Sequence, residues 1–105
     1  MPSKLKTLLI ASAFTSVSAL AAHAEALKLA HSTWVGYGPF YIAQEKGFFA
    51  EEGVEIELTI MESTPLKMGA FMAGQVDLVA STADEFPTYM RDGKPIKYIL
   101  AVDNS

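Results

Sequence analysis

Thr33 to Gly53 reads TWVGYGPFYIAQEKGFFAEEG. It follows an extended, apolar-leaning segment, Ala26 to Ser32. It begins with an aromatic, glycine-rich turn, Trp34-Val35-Gly36-Tyr37-Gly38, and enters a helix at Pro39. Proline suits a first helical position, because the N–H it lacks would be unpaired there anyway. The stretch is therefore one β-α unit. Its turn offers the backbone N–H groups of Phe40 and Tyr41 to a small polar or anionic ligand, and aromatic rings stand beside them as walls.

The helix is expected over Pro39 to Ala50. Gly47 and Gly53 bracket its end, and Gly53 is the better stop. Val54 to Ile60 then alternates, with Val54, Ile56, Leu58 and Ile60 on one face and Glu55, Glu57 and Thr59 on the other. That period of two predicts a strand with one wet face. Thr64 caps a second helix, with Pro65 at its first position, running to about Ala73. Val76 to Ser81 is a short apolar run, read as a buried strand. A third helix runs from Thr82, Ala83 or Asp84 to Arg91, and Pro87 fits it only in the first turn. Ile96 to Val102 reads as a fourth strand, with a loop at Asp103 to Ser105.

The series is β-α-β-α-β-α-β, which predicts an α/β fold with a mostly parallel sheet and right-handed crossovers. Central parallel strands are apolar on both faces, so the half-wet second strand belongs at an edge. The order of the first three strands is then 2-1-3. Ligands in such sheets sit at the carboxyl ends of the strands. One rim therefore carries Thr33–Gly38, Ser81–Asp84 and Asp103–Ser105.

Residues 1–24 have the form of a secretory signal peptide. Lys4 and Lys6 precede an uncharged stretch, Thr7 to Ala22, and Ala22-His23-Ala24 supplies small residues for cleavage after Ala24. The alternative, a membrane anchor, needs about 20 apolar residues, and this stretch is short and broken by serines. Cleavage leaves six basic and twelve acidic residues, taking the formal charge from −4 to −6. An acidic surface argues against nucleic acid and anionic lipid. The chain contains no cysteine, which excludes a disulfide scaffold, thiol catalysis, thiolate metal sites and lipid attachment at a cysteine. The mature protein is expected to be exported to a bacterial periplasm, without a lipid anchor.

Several segments together resemble one family: W-x-G-Y-x-P-x-x-x-A over Trp34–Ala43, G-F-F-x-x-x-G-V over Gly47–Val54, A-G-x-V-D over Ala73–Asp77, T-x-D-E over Thr82–Glu85, and D-G-x-P-x-K over Asp92–Lys97. The chain resembles the periplasmic solute-binding proteins of ABC importers for nitrate, sulfonates and taurine, including relatives similar to the thiamine-pyrimidine precursor proteins. The resemblance implies a two-lobed type II periplasmic binding protein fold, with ligand enclosed between the lobes and the closed form docking on permease subunits in the inner membrane. Residues 25–105 would then be part of the first lobe, with the second lobe, the hinge crossings and the strand returning to the first lobe absent. The implied function is non-enzymatic capture of a small anion or zwitterion (a sulfonate, taurine or nitrate), with no cofactor. The alternatives are a protein that binds or makes the thiamine pyrimidine, a periplasmic sensory domain, and a non-functional fragment. The signal peptide argues against cytosolic synthesis.

The candidate ligand-binding residues are Trp34, Gly36, Tyr37, Gly38, Pro39, Phe40, Ser81, Thr82 and Asp84. Trp34 and Tyr37 either wall a ligand or pack over a strand end. Gly36, Gly38 and Pro39 supply turn geometry. The hydroxyls of Ser81 and Thr82 suit a sulfonate, nitrate or carboxylate oxygen, while Thr82 and Asp84 also suit helix capping. Asp84 and Glu85 point about 100° apart on a helix and read as a solvated or capping pair. His31 reads as a packed, hydrogen-bonded side chain, and with no second histidine or cysteine in the mature chain no metal site is expected. Met61, Met68, Met72 and Met90 read as core filler.

Overall fold

The computed structural model describes residues 25–91 and 93–104. The signal-peptide segment, Asp92 and Ser105 lie outside the described residues. The elements are β1 (Leu27–His31), a 3-10 turn (Val35–Tyr37), α1 (Gly38–Glu45), α2 (Phe48–Glu51), β2 (Ile56–Ile60), α3 (Thr64–Met72), β3 (Leu78–Val79) and α4 (Phe86–Met90). Among the described residues they form a small α/β unit with a three-stranded sheet, order β2-β1-β3, all parallel. Leu27 pairs with Ile56 and His31 with Ile60 on one side of β1, and Leu29 pairs with Leu78 on the other. The order matches the one inferred from the half-wet second strand.

Glycine geometry sets the helix limits. The single helix expected over Pro39–Ala50 is two, because Gly47 adopts φ 76° between them. A left-handed residue ends one helix and re-aims the chain. Gly53, at φ 73°, closes α2 with a Schellman pair: its own N–H donates to Ala50 O (3.0 Å) and the Val54 N–H to Phe49 O (3.0 Å). Val54 is thereby part of the helix cap, which is why β2 starts at Ile56 rather than Val54. Gly74 repeats the device after α3, with Gln75 N donating to Ala70 O at 2.8 Å. At the start of α3 the cap is Ser63, whose hydroxyl accepts from Leu66 N at 3.3 Å, and Thr64 is the first helical residue.

The centre of the packing is Ala30, Ala70 and Val76, with Met61, Phe71 and Val79 against them. Met68 is fully buried, as expected of core filler, whereas Met90 is 43 % exposed. Small residues at Ala30 and Ala70 let α3 lie close on β1.

The fourth strand is corrected. Residues 96–102 form no strand and pair with none among the described residues. A strand exists only through a hydrogen-bonded neighbour. Here the segment is held from the side instead. The Tyr98 hydroxyl donates to Ala83 O at 3.1 Å, and its ring meets Phe86 edge-on at 5.4 Å. Lys94 donates to Phe71 O and lies 4.3 Å over the Phe71 ring. Ile99 and Leu100 remain exposed. The rim accordingly carries two strand-end loops, not three.

Candidate functional site

Strands β1 and β3 end side by side, so the loops leaving them share one rim. The β1 loop turns at once into the 3-10 turn, closed by Tyr37 N donating to Trp34 O at 3.0 Å. The Gly38 N–H donates to Val35 O. This places four aromatic rings in sequence. Trp34 meets Tyr37 edge-on at 4.9 Å, Tyr37 stacks on Phe40 at 5.8 Å and 11°, and Tyr37 and Tyr41 both stand edge-on to His31 at 5.7 and 5.4 Å. His31 is the pivot. It is 3 % exposed, and both ring nitrogens are partnered: Nδ1 with Ser32 O at 2.8 Å, Nε2 with the Tyr41 hydroxyl at 2.7 Å. A carbonyl only accepts, so Nδ1 carries a hydrogen. The packed reading of His31 holds, and its bond to Tyr41 fixes the orientation of that ring.

Gly36 has a steric reason. A Cβ there would lie 1.9 Å from Trp34 Cζ3, so glycine is what lets the indole fold back over the turn. Gly38 has no such reason: a Cβ would meet nothing within 4 Å, and its φ of −50° is ordinary helix. Pro39 lies in the first turn of α1, as expected. The rings border an open cleft of about 350 Å³, lined by Trp34, Tyr37 and Tyr41 together with His31, Ile60 and Thr33. Beside Thr33 stands Glu62, whose carboxylate accepts from the Thr33 N–H (3.0 Å) and hydroxyl. Those two bonds hold the Glu62 carboxyl below the usual range, so it is ionised at neutral pH.

The β3 loop builds a second polar group. Lys67, on α3, is 2 % exposed, and its ammonium donates to Ala80 O (2.9 Å) and Ser81 Oγ (3.2 Å). Ser81 in turn donates its hydroxyl hydrogen to Glu85, and Thr64 donates to the other Glu85 oxygen at 2.7 Å. The network ties α3, the end of β3 and the start of α4 together. Bonds from Ser81 and Thr64 lower the Glu85 pKa. Burial lowers that of Lys67, opposed by the charges of Glu85 and Glu62. Tyr37 is raised by burial and then by Glu85, which places that carboxylate within electrostatic reach of the aromatic turn.

The structure thus gathers Trp34, Gly36, Tyr37, Gly38, Pro39 and Phe40 on one rim with Ser81, but it changes their parts. The Ser81 hydroxyl hydrogen is committed to Glu85. Thr82 contributes its carbonyl to Glu85 N at 3.2 Å and is exposed, and Asp84 is exposed. Neither caps α4, which has no side-chain cap. Glu85, read in the sequence as part of a solvated or capping pair, is the carboxylate that closes the network. Lys67 and Glu62 were not legible as site residues, because a lysine and a glutamate near a helix start carry no local sign of what they will face. Tyr41 has the one usable signal, its place one turn after Tyr37 and ten residues from His31.

Among the described residues no group of three metal-ligating side chains is found, and no helix is long and apolar enough to cross a membrane. No curated protein and no solved structure matches the chain. A family model described as the NMT1-like family matches residues 20–105. This agrees with the parallel β2-β1-β3 sheet, which is consistent with part of a type II binding-protein lobe. The chain belongs to the NMT1-like family, within the SsuA/NrtA/THI5-like group of binding proteins.

Proposed function

We propose that the protein is a non-enzymatic solute-binding component of an ABC importer, exported to the periplasm and presenting its ligand to permease subunits in the inner membrane. The observation that carries this reading is the rim itself. An aromatic cleft and a satisfied polar network stand together at the carboxyl ends of two parallel strands, where sheets of this kind hold ligands. The solute is a small zwitterion of the taurine type in preference to a simple anion such as nitrate. Ionised carboxylates flank the rim, and the ammonium of Lys67 is turned toward Ala80 O and Ser81.

The test is uptake. Deleting the gene in its host is expected to abolish high-affinity uptake of labelled taurine or an alkanesulfonate, and restoring it to return the uptake. Unchanged uptake of taurine, alkanesulfonates and nitrate overturns the importer reading.

A further inference from the structure

We propose that the cleft over Ile60 receives the ammonium end of the solute, with the anionic end directed away from this cleft. The proposal rests on the solute-binding reading and adds to it which end of the ligand this face takes. Three observations converge. The walls are the rings of Trp34, Tyr37 and Tyr41, and Trp34 and Tyr41 are 45 % and 41 % exposed, so part of each residue is open to a guest. Aromatic faces attract an alkylammonium through the ring quadrupoles, while to an oxyanion the same walls offer only neutral donors, the Trp34 indole N–H and the Tyr37 hydroxyl. The nearest charge at the mouth is negative: Glu62, fixed on Thr33.

Among the described residues the cleft has no cationic donor for an oxyanion. No lysine or arginine lines the cleft. The Gly38 N–H is bonded to Val35 O, Pro39 has none, and Lys67 points to Ala80 O. The bond between Tyr41 and His31 orients one wall without a guest, so that ring loses little entropy on binding.

The experiment is an NMR titration of the full chain with tetramethylammonium chloride, against sodium methanesulfonate and sodium chloride, each to tens of millimolar. Tetramethylammonium is expected to shift the Trp34 indole N–H and the Tyr37 and Tyr41 ring signals saturably, and methanesulfonate to leave them in place. Trp34→Leu is expected to weaken that binding by roughly tenfold, read at the tyrosines, and Glu62→Gln by roughly three- to tenfold. Both variants should keep the core signals of Met68 and Val76, which report an intact fold. Saturable shifts from methanesulfonate, none from tetramethylammonium, or equal binding by Glu62→Gln and Trp34→Leu would each overturn the ammonium assignment. Transport is decided separately by the uptake assay, so the two readings can fail independently.

Discussion

Gly36→Ala tests the geometry of the aromatic turn directly. The new methyl would sit 1.9, 2.0 and 2.5 Å from three atoms of the Trp34 ring, far inside van der Waals contact, so the indole must leave. The backbone itself does not object, since Gly36 is not among the glycines with positive φ. The cost is therefore the seating of the ring. Losing the edge-on contact with Tyr37 costs about 0.5–1.5 kcal/mol. Returning roughly 50–100 Å² of a half-buried indole to water adds about 1.3–2.5 kcal/mol at 25 cal/mol per Å². The sum, about 2–4 kcal/mol, lowers the melting temperature of a domain of this size by roughly 10–30 °C. Trp34 is the only tryptophan in the chain, so its fluorescence reports the turn without interference. The variant should show red-shifted emission before denaturation and an earlier urea midpoint at unchanged slope. Emission and midpoint both equal to the parent would refute the packing of Trp34 over Gly36, and with it one wall of the cleft.

Two further outcomes follow from the polar network. Lys67→Met removes the ammonium that satisfies Ala80 O and Ser81, leaves Glu85 without its nearby cation, and should destabilise by about 1–3 kcal/mol in urea unfolding; a neutral or stabilising result would show that the network does not lock α3 to β3. Glu85 has a folded pKa below its ordinary 4.5, so the folded state binds fewer protons there and stability is lost as pH falls below about 4.5; Glu85→Gln should flatten the acid limb of the melting-temperature profile, and an unchanged limb would assign the loss to other carboxylates.

Comparing these elements with the sequence shows which kinds of feature are legible. The strand order was readable because Glu55, Glu57 and Thr59 alternate with apolar residues, and a half-wet parallel strand can only lie at an edge. Gly53 and Gly74 announced helix ends because the left-handed conformation is local and favours glycine. The break at Gly47 carried the same signal, but Gly53 read as the better stop. The strand expected at Ile96–Val102 failed for a different reason. Its composition suits a strand, yet pairing depends on a neighbour, and composition does not supply one.

By itself the sequence determined the β-α units, the parallel sheet order and the aromatic, glycine-rich turn, because each depends on backbone preference and the period of apolar residues. Only the tertiary structure decided what the rim offers a ligand. It brought Lys67 under Ser81, gave the Ser81 hydroxyl to Glu85, set Tyr41 on His31 and put Glu62 at the mouth of the cleft. Those pairings join residues from separate helices and strand ends. Whether a hydroxyl is a free donor or a spent one depends on which partner the fold brings within 3 Å, and that is a property of packing rather than of the local chain.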